Sequence, residues 1–76
     1  MKGLKDKIYT VILDEYRLGT ISDDTVILNE SGIDPDVQRD LIMRLEDEFK
    51  VDISDDDALM LITVGDLVTY IEGKVE

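Results

Sequence analysis

Apolar residues recur at three- and four-residue spacing in three stretches of this chain, and each stretch predicts an amphipathic helix. The first runs from about Leu4 to Arg17, with Leu4, Ile8, Val11, Ile12 and Tyr16 on one stripe and Gly19 as its stop. The second opens on Asp34, a good N-cap, followed by Pro35 at the first helical position and Asp36 where the helix dipole favours a negative charge. Val37, Leu41, Ile42, Leu45 and Phe49 form its inner stripe, while Asp36, Arg39, Asp40, Met43, Asp47 and Lys50 fall mostly outside. Thr63 with Asp66 three residues later reads as a capping box for a last helix, about Val64 to Glu72. Its inner face is Val64, Leu67, Val68 and Ile71, and Gly73 is its expected end.

Between these stretches the pattern changes. From Thr20 to Ile33 no helical period survives, although Val26, Ile27 and Leu28 are apolar and should pin a long loop to the core. Ser54 with Asp57 is a second capping-box variant, opening a short helical turn through Met60. The apolar residues at 61–64 could suggest a strand, but the run is too short and the cap that follows it too good. Two echoes, Ile21-Ser22-Asp23-Asp24 and Ile53-Ser54-Asp55-Asp56, both read as turn or cap chemistry. The predicted class is all-α, in one domain over 1–76.

A chain of 76 residues builds a thin core, and a net stability of roughly 3–5 kcal/mol is expected. It contains no Cys and no His, which removes disulfides, thiolate and imidazole ligands, a cysteine nucleophile and the usual general base. Nineteen acidic residues against eight basic ones give a net charge of −11. The first seventeen residues carry +1, so everything after Arg17 sums to −12. Such a surface repels nucleic acid and anionic membranes, attracts basic patches on partners and loosens the fold at low salt. No stretch reaches the ~18 apolar residues of a membrane span, and Met-Lys-Gly-Leu-Lys has no apolar run behind it. A cytoplasmic monomer is therefore expected, and Asn29-Glu30-Ser31 is taken as a chance glycosylation sequon.

Gly32-Ile33-Asp34, followed by Leu41-Ile42-Met43-Arg44-Leu45-Glu46-Asp47-Glu48-Phe49, closely resembles the second helix of an acyl carrier protein. Ile53 through Asp57, and Ile62-Thr63-Val64-Gly65-Asp66-Leu67-Val68-Thr69-Tyr70-Ile71, resemble the third and fourth helices of that family. The likeness covers nearly the whole chain, including its length and acidity. It implies a four-helix bundle with three longer helices, one short third helix and a long first loop. It also implies 4′-phosphopantetheine, esterified in family members to a serine within Asp-Ser-Leu at the start of the second helix. The same register here reads Asp34-Pro35-Asp36. Proline has no hydroxyl, so no phosphodiester can form at that position, and no cofactor is expected. Ser31, four residues earlier, Ser22 and Ser54 are the displaced alternatives.

Partners of the family bring Arg and Lys to acidic residues along the second helix and to an exposed Met. The matching positions here are Asp34, Asp40, Met43, Glu46 and Asp47, and the expected docking face adds Asp36 and Arg39, with Arg39 and Arg44 interrupting the acidic run. The resemblance thus implies a protein-docking or regulatory module near fatty-acid, polyketide or related acyl-transfer enzymes. The alternative is a working acyl or aminoacyl carrier modified at a non-standard serine or represented by a variant sequence. No catalytic residue is expected: nothing marks a buried member among the carboxylates, and no glycine loop cradles phosphate. Asp52, Ser54 and Asp56 alternate like the start of a Ca²⁺ loop, but Asp57 and Thr63 stand where that loop needs Gly and Glu, so no metal is expected.

Overall fold

The computed structural model describes residues 3–17 and 19–75, and these residues form four helices in the order α1 (Leu4–Tyr16), α2 (Pro35–Phe49), α3 (Asp55–Ala58) and α4 (Val64–Val75). The all-α reading holds. Helix α1 packs against both α2 and α4, and its stripe of Leu4, Ile8, Val11 and Ile12 is buried. The inner face of α4 is buried as expected at Val64, Leu67, Val68 and Ile71. Helix α2 buries only Leu41 and Leu45 fully, while Val37, Ile42 and Phe49 are half-covered, so its stripe is narrower than the spacing suggests. Each fully buried Leu or Ile contributes about 1.5–3 kcal/mol relative to exposure.

Helix ends differ from the sequence expectation in three places. Helix α1 stops at Tyr16 because Arg17 takes the left-handed conformation (φ 55°), two residues before Gly19. Helix α3 ends at Ala58, short of Met60. Helix α4 continues through Gly73 to Val75, since an exposed glycine costs only about 1 kcal/mol and no proline follows. The three starts fall where expected. Asp34 Oδ1 accepts from Asp36 N at 2.9 Å, and Ser54 Oγ accepts from Asp57 N at 3.1 Å. Thr63 and Asp66 form the full reciprocal box. Asp66 N donates to Thr63 Oγ1, and Asp66 Oδ2 accepts from both Thr63 N and Ile62 N. Those backbone donors hold the Asp66 carboxyl below its ordinary pKa.

The long first loop is anchored as well as buried. Ile27 and Leu28 lie in the core, but Val26 is exposed and does not pin the loop by burial. It instead faces Thr63 in an isolated antiparallel bridge, flanked by Ile27 N and Leu28 N donating to Ile62 O and by Val64 N donating to Thr25 O. That single bridge is all the strand character the 61–64 run acquires among the described residues. At the Ile21–Asp24 turn, Asp23 accepts from Tyr9 OH and Lys5 Nζ of α1, which keeps its carboxyl deprotonated below the usual range. Its carbonyl accepts from Gly65 N at 2.8 Å. A Cβ at Gly65 would sit 3.1 Å from that same oxygen, so the close approach explains a glycine inside the α4 cap.

Candidate functional site at the second helix N-terminus

The approach to α2 is a tight turn. Ile33 N donates to Glu30 O, and Gly32 has φ +94°, a conformation that favours glycine. Asp34 is extended, Pro35 is the first helical residue, and Gln38 N donates to Asp34 O as the first intrahelical bond. The helix N-terminus, where an anion would be drawn by free amides, is already served by the chain's own Asp34, with Asp36 beside it. Pro35 offers neither an amide hydrogen nor a side-chain oxygen. Ser31, the nearest hydroxyl upstream, lies exposed on the turn before Gly32.

Along α2, Asp36, Arg39, Asp40, Met43 and Asp47 are all exposed on the face away from the core. Glu46 is different. It is half-covered, and its Oε2 accepts from Ile53 N at 2.8 Å, so it ties the α2–α3 connection together. Arg44 does not interrupt this face. Its Nη1 bonds Asp14 Oδ2 at 2.6 Å and Glu15 Oε2 at 3.0 Å on α1, and those carboxylates raise its pKa further. The interruption expected there is absent because Arg44 turns toward α1, leaving Arg39 as the cation on the acidic face.

Between α2 and α3 lies an open groove of about 510 Å³, lined by Pro35, Arg39, Ile42, Met43, Ile53 and Leu59 among others. Its floor is fixed by a residue the sequence pattern passed over. Asn29, in the left-handed conformation (φ 57°), donates through Nδ2 to Ala58 O at 2.8 Å and Leu61 O at 2.6 Å. Its backbone N donates to Gln38 Oε1 at 2.8 Å. The amide of the chance sequon is therefore committed to holding α3 to the loop and α2. The available signal was an Asn at a turn, a residue type enriched at positive φ.

On the opposite side of α3, Tyr70 OH donates to Asp57 Oδ2 at 2.7 Å, which pushes the tyrosine pKa up to about 12. Tyr16 OH donates to Ile27 O at 2.6 Å, and burial, with Glu15 nearby, raises it likewise to about 12. These are packing hydroxyls with no reactive partner.

A family model described as a phosphopantetheine attachment site matches residues 6–71. The chain belongs to that family. Carrier domains of this kind are not catalysts; they interact with partner enzymes and normally carry 4′-phosphopantetheine. Pro35, the first residue of α2, lies inside the matched span, and its ring has no oxygen from which a phosphodiester could form. Among the described residues no group of three or more carboxylates is arranged to hold a metal ion, and no helix is long and apolar enough to cross a membrane.

Proposed function

We propose that this carrier domain works without the phosphopantetheine arm, as a protein-docking or regulatory module beside acyl-transfer enzymes of fatty-acid, polyketide or related synthesis. The observation that carries the reading is Pro35 as the first residue of a well-capped α2. The fold keeps the helix start that family members present, while the atom needed for esterification is missing. Proline is also the better residue for that start, since its fixed φ suits the first turn and its missing N–H would be unpaired there anyway.

The docking face comprises Asp34, Asp36, Arg39, Asp40, Met43 and Asp47, with Glu46 at its edge shared between the surface and the Ile53 amide. Its partners present Lys and Arg patches, and encounter is steered by the acidic surface and weakened by salt. The chain acts in the cytoplasm as a monomer, one domain over 1–76, kept apart from its own copies by a charge of −11.

Incubation with a broad-specificity phosphopantetheinyl transferase and coenzyme A, followed by intact mass measurement, tests the reading directly. The mass stays that of the unmodified chain. A stoichiometric gain of the arm would defeat the armless reading, and a gain abolished by Ser31→Ala would make the chain a working carrier with a displaced site. Charge reversal at Asp40 and Asp47 tests the face. Capture by acyl-transfer enzymes that is unchanged in D40K/D47K removes α2 from the docking surface.

A further inference from the structure

Helix α3 contributes no residue to the buried core, and its four residues are too few for a helix to stand by itself. Both flanks are firmly held. Ile53, just before the cap, is buried, and its N donates to Glu46 Oε2 at 2.8 Å. Leu61, just after the end, is buried too. Beyond it, Ile62 O accepts from Ile27 N and Leu28 N, and Ile62 N donates to Asp66 Oδ2. Between these anchors, among the described residues, hydrogen bonds from the rest of the domain reach the segment 54–60 at two points. Tyr70 OH donates to Asp57 Oδ2 at 2.7 Å, and Asn29 Nδ2 donates to Ala58 O at 2.8 Å.

The second of these bonds depends on Gln38, which lies half-buried one turn into α2. Gln38 Oε1 accepts from Asn29 N at 2.8 Å, and Gln38 Nε2 donates to Asn29 Oδ1 at 3.3 Å. With Oδ1 facing that donor, the Asn29 amide is fixed in orientation, and its Nδ2 is left aimed at Ala58 O and Leu61 O. Gln38 thereby sets a hydrogen bond on which α3 rests, although it makes none to α3 itself.

We propose that residues 54–60 form a flap that melts and re-forms between fixed hinges at Ile53 and Leu61, and that Gln38 and Asn29 are its catch. The proposal stands apart from the docking reading and needs no partner. Ala58 and Leu59 wall one side of the α2–α3 groove, and Pro35, Gln38 and Ile42 line it from α2. Release of the catch takes that wall away. A contact that pulls Gln38 from Asn29 is therefore felt at α3, and by linkage a contact that holds α3 steadies Gln38.

Native-state amide exchange of the full-length chain tests the device. Ala58 N, Leu59 N and Met60 N bond only within the flap. They exchange at least about a hundredfold faster than Leu45 N and Ile71 N in the longer helices, and depend little on urea because their opening exposes little surface. Gln38→Glu sets an oxygen against Asn29 Oδ1 and speeds the three amides about tenfold, as the loss of one hydrogen bond does. Gln38→Met, which removes both bonds without adding charge, speeds them as well. In an Asn29→Gly background neither substitution changes them further, whereas Tyr70→Phe speeds them in both backgrounds because it frees the flap at its other point. A Gln38 effect that persists in Asn29→Gly would overturn the catch. Flap amides that exchange in step with Leu45 N and Ile71 N at every urea concentration would overturn the flap, since α3 then melts only with the whole bundle.

Discussion

Removing the Asn29 side chain should cost a large share of this protein's stability, although the residue is exposed and lies in a loop. Its Nδ2 group donates to Ala58 O and Leu61 O, which ties the first loop to the end of α3 and adds to the backbone bonds that Ile62 and Val64 make with the same loop. A net hydrogen bond contributes about 0.5–1.5 kcal/mol, so the pair is worth about 1–3 kcal/mol. The backbone adds a second effect, because a φ of 57° costs an alanine about 1–2 kcal/mol and a glycine almost nothing. Asn29→Gly therefore isolates the hydrogen bonds and keeps the Asn29 amide to Gln38 Oε1, while Asn29→Ala adds the strain. Asn29→Asp should be the most damaging, because it turns a carboxylate toward two carbonyl oxygens. Against a total of roughly 3–5 kcal/mol, Asn29→Gly should lower the urea midpoint by a third or more. Asn29→Ala should leave a substantial unfolded fraction without denaturant. Far-UV circular dichroism in urea measures both, and amide exchange at Leu59 and Leu61 should quicken selectively in Asn29→Gly. The reasoning fails if Asn29→Gly falls within about 0.3 kcal/mol of the parent, or if the Gly and Ala variants are equally stable.

Much of the fold was legible because local chemistry and global packing agree. Asp34-Pro35, Ser54-Asp57 and Thr63-Asp66 announced three helix starts, and each makes the expected capping bond. Helix ends were harder to read. Arg17 and Lys50 terminate α1 and α2 in the left-handed conformation without being glycine, whereas Gly73 terminates nothing. A glycine permits such a stop without compelling it, and tertiary packing decides where the last turn is covered. The outer face was also hard to read. Periodicity separates buried from exposed positions, but it does not say which neighbour an exposed charge will find. Arg44 and Glu46 both looked like surface charges, yet one bonds α1 and the other an amide two turns downstream. The Asn29 clamp joins residues about thirty positions apart, and no spacing rule reaches that far.

Other consequences are open to measurement. Pro35→Ser should lower stability by a few tenths to about 1 kcal/mol, through a larger unfolded ensemble; a gain in thermal midpoint would contradict the helix-start argument. Asp66 has a folded pKa below its ordinary 3.8, so its contribution is complete above that value and is lost as pH falls through the lower folded one. Asp66→Asn should flatten the acid limb of stability against pH below about 4, and parallel curves for the two proteins would refute the assignment. Tyr16 and Tyr70 are raised from 10 to about 12, so their contribution is full below pH 10 and fades toward pH 12. Ultraviolet titration should show both ionising late, and ordinary phenol titration of all three tyrosines in the folded chain would count against the hydroxyl bonds. Raising NaCl from about 10 mM to about 0.5 M should stabilise the protein by screening its −11 charge, and a fall in the urea midpoint would reverse that inference.

A carrier domain asks two things of the first residue of its second helix: a nucleophilic oxygen for the arm, and a backbone suited to a helix start. Serine serves both, the second only adequately. Proline serves the second better and the first not at all. Because the N-cap bond comes from Asp34 and the core from Leu41 and Leu45, exchanging one for the other leaves the bundle untouched. Acidic residues line the outer face of α2 beside an open groove, and Leu59 and Met60 are exposed at the end of a clamped α3. The docking role proposed above needs only that face, which the choice of residue at the start of α2 does not touch.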